Sequence, residues 1–215
     1  MKKGLTEIVF ILDKSGSMSG LEKDTIGGYN SFLERQRKID GEAFVSTLLF
    51  SDRSEVIHDR VPIEKVNPMT DEQYYVEGCT ALLDAIGGAI HHIGNVHKYA
   101  RDEDRPEKTV FVITTDGQEN SSHEYTYDKI KKMIEHQQEK YGWEFLFLGA
   151  NMDAISEASK LGIRQDRAVR YECDEVGTAL NYECVCDTIT DIRMGKAMSG
   201  NWKRRIDDYR KTKKS

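Results

Sequence analysis

Short, uniformly apolar runs alternate along the chain with longer stretches whose apolar residues recur every three or four positions. The first run, residues 8–12 (Ile-Val-Phe-Ile-Leu), is continuous and mostly β-branched, which predicts a central strand buried on both faces. A Gly/Ser-rich turn over residues 15–20 separates it from a helix over about 23–38, where Ile26, Tyr29, Phe32 and Leu33 form one stripe. Residues 43–50 predict a second strand. Ser51-Asp52-Arg53 is short enough to be a hairpin turn that returns residues 55–61 antiparallel, with Pro62 marking a sheet edge.

The rhythm continues after a loop around Asn67-Pro68. Residues 80–99 predict a helix with Leu82, Leu83, Ile86, Ile90 and Ile93 as its core face, and 109–114 (Thr-Val-Phe-Val-Ile-Thr) another buried strand. A helix over 127–140, a strand over 144–148, a helix over 152–161, a short strand over 168–171 and a last helix from 175 to about 193 complete the series. Strands alternating with helices imply right-handed crossovers and a mostly parallel central sheet with helices on both faces, an α/β fold. No repeat, low-complexity linker or internal boundary interrupts it, so residues 1–200 are expected to form one domain and 201–215 a basic C-terminal tail.

Composition narrows the function classes. The 215 residues are 38% hydrophobic and 32% charged with a net charge of −6, a globular balance that gives no reason for wholesale binding to nucleic acid or membrane. The charge is uneven, because from residue 203 to 215 seven basic residues face two acidic ones. A basic end on an acidic body suits docking on nucleic acid or a partner, whereas the plainer expectation is a solvated helix turn or frayed end. Cys79, Cys173, Cys184 and Cys186 contain no C-x-x-C pair and match no zinc spacing with the six histidines. Thiols of this kind fit a reducing compartment. The apolar run behind Met-Lys-Lys is too short for a signal peptide, and no stretch approaches the length of a membrane span. The expected location is cytoplasmic.

Two strand ends carry oxygen-rich motifs. The first strand runs into Asp13-Lys14-Ser15-Gly16-Ser17, and the strand over 109–114 runs into Thr115-Asp116-Gly117-Gln118-Glu119-Asn120. Between them Gly78-Cys79-Thr80 opens a helix with a threonine hydroxyl. In open α/β sheets ligands bind beyond the carboxyl ends of the strands. Asp13 and Asp116 supply carboxylates; Ser15, Ser17 and Thr80 supply hydroxyls. All are hard oxygen donors suited to Mg²⁺, Mn²⁺ or Ca²⁺ and poor for zinc or copper. Five small groups, some acting through water, leave a position of an octahedral ion open for an outside oxygen, and a carboxylate is its natural occupant.

Asp13-Lys14-Ser15-Gly16-Ser17 resembles the D-x-S-x-S motif of von Willebrand factor type A (vWA) domains, and Thr80 and Asp116 match that family's remaining two elements. The surroundings are similar as well: residues 8–12 before the motif, Gly78-Cys79-Thr80-Ala81-Leu82 with Asp84-Ala85, and Ile113-Thr114-Thr115-Asp116-Gly117. The resemblance covers roughly residues 5–165 and is that of a stand-alone prokaryotic or phage type. It implies a Rossmann-like three-layer sandwich with one antiparallel edge strand. It also implies a metal-ion-dependent adhesion site (MIDAS) in which Asp13, Ser15, Ser17, Thr80 and Asp116 bind Mg²⁺ directly or through water. The acidic side chain of a partner protein would complete the shell.

The expected function is therefore a metal-dependent protein-binding module without catalytic activity. One rival is a Mg²⁺-dependent hydrolase or phosphotransferase using Asp13 and Asp116. A haloacid-dehalogenase-like phosphatase would carry an aspartate at position 15, which is serine, and the P-loop pattern is absent. Glu119 is the one nearby group to consider as a general base, and a charge-tuning rim residue is the simpler reading. His123 in the same loop is expected to be solvated, and the adjacent His91-His92, which diverge by about 100° on a helix, to be a surface or semi-core pair. A second rival is a nucleic-acid-associated protein using Lys203-Arg204-Arg205 and residues 211–214 on phosphates, with Trp202 stacking on a base.

Overall fold

The first apolar run lies at the centre of a longer strand, β1 (Lys2–Asp13), in a computed structural model that describes residues 1–150 and 153–213. Side chains alternate across a strand, and both sets are apolar in β1. Ile8, Phe10 and Leu12 enter one core; Val9 and Ile11 enter the other. Two-sided burial of this kind requires helices on both faces, and the chain supplies them.

After β1 come α1 (Glu22–Gln36), β2 (Ala43–Phe50), β3 (Ser54–Pro62), α2 (Leu82–Tyr99), β4 (Pro106–Thr115), α3 (Tyr127–Tyr141), β5 (Glu144–Ala150), α4 (Ala154–Lys160), β6 (Ala168–Tyr171), α5 (Glu175–Arg193) and α6 (Arg204–Lys213). Met152, the expected first residue of the helix that becomes α4, lies outside the described residues, as do Lys214 and Ser215. The sheet order is β3-β2-β1-β4-β5-β6. Every neighbouring pair is parallel except β2–β3, the hairpin expected from Ser51-Asp52-Arg53. One face carries α1, α5 and α6 over Phe10, Tyr29, Phe32 and Ile189; the other carries α2, α3 and α4 over Ile11, Phe111 and Phe147. The fold is thus the expected three-layer α/β sandwich with one antiparallel edge strand.

A charged residue lies midway along β1. Glu7 is fully buried, and its carboxylate meets Arg60 at 2.9 Å and His97 at 3.3 Å. A buried charge of this kind persists only where it is paired.

The segment after residue 200 departs from the frayed end expected of it. Ile206 is buried in the α1/α5 core, Trp202 is almost as buried, and the Trp202 indole N–H donates to the Asp166 carbonyl at 2.7 Å. That burial overturns the expectation of a base-stacking Trp202. The basic side chains are largely engaged with the body: Arg205 with Glu183 and Asp187, Lys213 with Asp174, and Lys203 with the Gln165 and Ala168 carbonyls. Among the described residues no helix is long and apolar enough to cross a membrane.

Candidate metal centre

Parallel register brings the two oxygen-rich strand ends together. Leu12 of β1 pairs with Thr114 of β4, so both chains leave the sheet side by side at their carboxyl ends. The break between strands β1 and β4, whose crossovers run to opposite faces, is where an open α/β sheet leaves a crevice.

Asp13 is completely buried at the end of β1. Its Oδ1 accepts the Ser15 backbone N–H at 2.7 Å, and its Oδ2 accepts the Thr115 hydroxyl at 2.6 Å. The first bond bends the chain back on itself, an Asx-type turn that brings Ser15 and Ser17 over the carboxylate. The Ser15 and Ser17 hydroxyls are 3.0 Å apart, and the Thr80 hydroxyl donates to Ser15 Oγ at 3.0 Å. Asp116 follows β4 and is 8% exposed. All five residues singled out in the sequence therefore meet in one place.

Three further interactions hold Thr80 there. Its backbone N–H donates to Asn120 Oδ1 at 2.9 Å, and its carbonyl accepts the Asn120 and Ser121 N–H groups. This capture delays the helix, so α2 starts at Leu82 and not at Thr80 as the sequence suggests. Gly78 has φ +67°, and a Cβ there would meet Asp52 Oδ1 at 2.4 Å, so the approach of this loop to the β2–β3 hairpin requires glycine. The Gly78 carbonyl in turn accepts the Gly16 N–H, stitching the Thr80 loop to the serine loop.

Lys14, the variable position of the motif, is 3% exposed, and its ammonium sits 3.3 Å from Glu55, 3.1 Å from Glu77 and 4.4 Å above the Tyr75 ring. Burial pulls its pKa down, yet the hydrogen bonds to Glu77 and Glu55 outweigh that and hold it above the ordinary value. It acts as a charged rivet between the hairpin and the Thr80 loop.

Two observations bear on what the five donors can hold. Burial raises the pKa of both carboxyls: hydrogen bonds from Ser15 and Thr115 only partly offset this for Asp13, while for Asp116 the bond from Ser17 is opposed by the charge of Asp13. Two buried acids that repel each other call for a cation. Asp116 Oδ1 is moreover a buried oxygen with no hydrogen-bond partner, which a folded protein rarely tolerates unless something else binds it. The next residue, Gly117, packs closely against the same hydroxyls: a Cβ there would lie 2.7 Å from Thr80 Oγ1 and 3.0 Å from Ser17 Oγ. A site with hard oxygen donors, two carboxylates and three hydroxyls suits a small divalent cation. Among the described residues no cluster of three or more His, Cys, Asp or Glu side chains is placed to hold a metal, so no softer centre competes.

Several residues escaped the sequence reading. Thr115 holds Asp13, and the buried Tyr74 hydroxyl donates to the Asp13 carbonyl. Thr115 stood beside a chosen residue and could have been found by its place at a strand end. Tyr74 comes from a loop with no periodicity and left no signal. Glu119 is not a free rim group: its carboxylate accepts the N–H groups of Leu83, Ser121 and Ser122 and the Ser122 hydroxyl, capping α2. Asp84 accepts the N–H groups of residues 123–125 and so pins the same loop. The His123 side chain is exposed, and His91 and His92 lie on the surface, where His92 meets Asp59 at 2.8 Å.

No protein-family model matches the chain, and no curated protein matches it. Solved structures do. Proximal thread matrix protein 1 from the mussel byssus, in a form with a zinc-occupied MIDAS motif, aligns with TM-score 0.58 and 18% identity over 87% of this chain and 46% of that one. A von Willebrand factor type A protein from Catenulispora acidiphila aligns with TM-score 0.56 and 14% identity over 86% of this chain and 42% of that one. The vWF domain of the type V pili tip protein Mfa5 from Porphyromonas gingivalis aligns with TM-score 0.60 and 9% identity over 90% of this chain and 97% of that one. The chain thus spans less than half the length of the mussel and Catenulispora proteins but nearly all of the pilus domain.

Proposed function

We propose, from the premise that this chain has the von Willebrand factor type A fold, that it is a metal-dependent protein-binding module whose ion is held by Asp13, Ser15, Ser17, Thr80 and Asp116. The observation that carries this reading is the buried, unpartnered Asp116 Oδ1 at the strand end where Asp116 meets Ser17 and Asp13. Support from outside the chain comes from the mussel protein of the same fold, whose MIDAS motif binds a divalent metal, there zinc. The donor set here, three hydroxyls and two carboxylates with no nitrogen or sulfur, favours Mg²⁺, with Mn²⁺ or Ca²⁺ as substitutes.

When bound, the ion supplies a Lewis-acidic position that the protein leaves open to an outside carboxylate. The chain's own residues do the rest. Asp13 is fixed by Ser15 and Thr115, so its charge is placed before any ligand arrives. Thr80 is held by Asn120, and the hydroxyls of Thr80, Ser15 and Ser17 form a connected chain of neutral donors. Neutral donors leave more net positive charge on the ion than carboxylates would, which strengthens its pull on a partner's acidic side chain. No catalytic role is assigned, because the carboxylate of Glu119 is occupied as a helix cap. The four cysteines form no disulfide with one another, which agrees with action in a reducing cytoplasm.

The test has two steps. Chelated protein is melted with and without Mg²⁺, for the wild type and for Asp13→Ala; a rise confined to the wild type is expected. Mn²⁺ is then loaded and water-proton relaxation followed while acetate is added. A carboxylate that displaces bound water lowers the relaxation enhancement. A rise equal in both proteins, or an enhancement that acetate leaves unchanged, refutes the reading.

A further inference from the structure

A cavity of about 1050 Å³ opens between α2 and α3 over the amino ends of β4 and β5, away from the strand ends that carry the metal site. Ligand pockets commonly measure some 300–1,000 Å³, so this one is large enough for a small organic molecule. Its floor is apolar: Ile90 and Trp143 are almost fully buried there, and Met133 is half-buried. Trp143 stacks on Phe111 and meets the His97 ring edge-on, so the floor is rigid.

Its rim is cationic on a chain of net charge −6. Lys98, Lys129, Lys132 and Lys140 line it, and among the described residues none of the four forms an ion pair with a carboxylate. Of the two acids of the cavity, Asp102 pairs with Arg105, and Glu107, which accepts the Gly4 N–H at 2.8 Å, keeps one negative charge against the four ammoniums. Three of the lysines sit over tyrosine rings, Lys129 over Tyr125, Lys98 over Tyr99 and Lys140 over Tyr141. Stacking of this kind holds an ammonium in place without neutralising it. Uncompensated positive charge around an apolar floor is complementary to one chemistry, an apolar body with an anionic head.

We infer that this cavity is a second ligand site, independent of the metal centre, that takes a small amphiphilic anion. The apolar body lies on Ile90, Met133 and Trp143, and the acid head lies among Lys98, Lys132 and Lys140.

Anilinonaphthalene sulfonate and its sulfonate-free parent phenyl-naphthylamine provide the test, since they share an apolar body and differ in the head. Both are titrated into the native full chain while energy transfer from tryptophan is recorded, and decanoate is used to displace the bound sulfonate. The expected result is saturable sulfonate binding, displaced by decanoate, with transfer reduced in Trp143→Phe to the share that the more distant Trp202 supplies. Reversing two exposed rim charges in Lys132→Glu/Lys140→Glu is expected to weaken it about tenfold or more, from two lost attractions and two new repulsions of surface strength. Thermal melts confirm that the double variant stays folded. Equal affinity for the uncharged parent, or undiminished sulfonate binding by the folded double variant, overturns the inference and leaves an apolar face without anion preference. Absence of saturable sulfonate binding overturns it outright.

Discussion

Replacing Gly117 by alanine should separate the metal site from the residues that form it. The substitution removes no donor. It places a methyl carbon 2.7 Å from Thr80 Oγ1 and 3.0 Å from Ser17 Oγ, where ordinary contacts begin near 3.4 Å. Gly117 has no positive φ, so alanine brings no backbone strain of its own. Thr80 cannot swing aside cheaply, because its hydroxyl donates to Ser15 and its backbone is held by Asn120. Overpacking of this kind costs about 1–3 kcal/mol in the metal-free protein. In a 215-residue chain each kcal/mol moves the melting temperature by roughly 2–4 °C, so the chelated variant should melt about 2–12 °C lower. Wild-type protein at a Mg²⁺ concentration near 100 Kd gains about 2.7 kcal/mol by mass action. That is a rise of roughly 5–11 °C. The variant, whose methyl group pushes against the Thr80 and Ser17 hydroxyls, should rise by less than about 2 °C at the same concentration. Differential scanning calorimetry across a Mg²⁺ titration checks both numbers. A variant that melts lower in chelator yet keeps the full metal-induced rise would show that the ion does not lie between Thr80 and Ser17.

Three other substitutions probe the supports of the site and of the fold. Glu119→Ala removes the cap of α2 and should cost about 1–2 kcal/mol in urea unfolding while preserving the Mg²⁺ response; loss of that response would place Glu119 in the metal site itself. Asp174→Ala removes the cap of α5, whose carboxylate accepts the Gly177 N–H at 2.7 Å and meets Lys213 at 3.0 Å, and should cost about 1 kcal/mol at pH 7. Burial raises the pKa of Asp174, but the Gly177 N–H, Lys213 and Tyr209 outweigh it and hold the carboxyl below its ordinary value. A depressed carboxyl stabilises the fold above its unfolded pKa, so the gap between wild type and variant should close as pH falls through the folded pKa, below about pH 4. A gap that persists undiminished in acid would refute the charge-based account of that cap. Ile206→Ala should cost about 2–4 kcal/mol if α6 is part of the core. A change within about 0.5 kcal/mol would mean that α6 contributes no burial.

The sequence by itself determined the layers, the hairpin and which five oxygen-bearing side chains gather at the strand ends. Two-sided burial needs strands that are apolar at every position, and residues 8–12 are, so the placement of helices on both faces followed from local pattern alone. The donors were legible because they stand at fixed offsets from strand ends, where a parallel sheet collects its side chains. Only the tertiary structure decided what surrounds them. Thr115, Tyr74 and Asn120 hold Asp13 and Thr80 through contacts between residues 40 to 102 positions apart, and such contacts leave no periodic trace. Glu119 read as a charge-tuning rim residue, and only folding brought it to the unsatisfied N–H groups of α2. The segment holding Ile206 read as a solvated turn or frayed end, and Trp202 as a residue that could stack on a base, because two apolar residues beside a run of charge show no repeat. Their burial depends on the groove that β6 and α5 leave open, and that groove exists only once the sheet has formed.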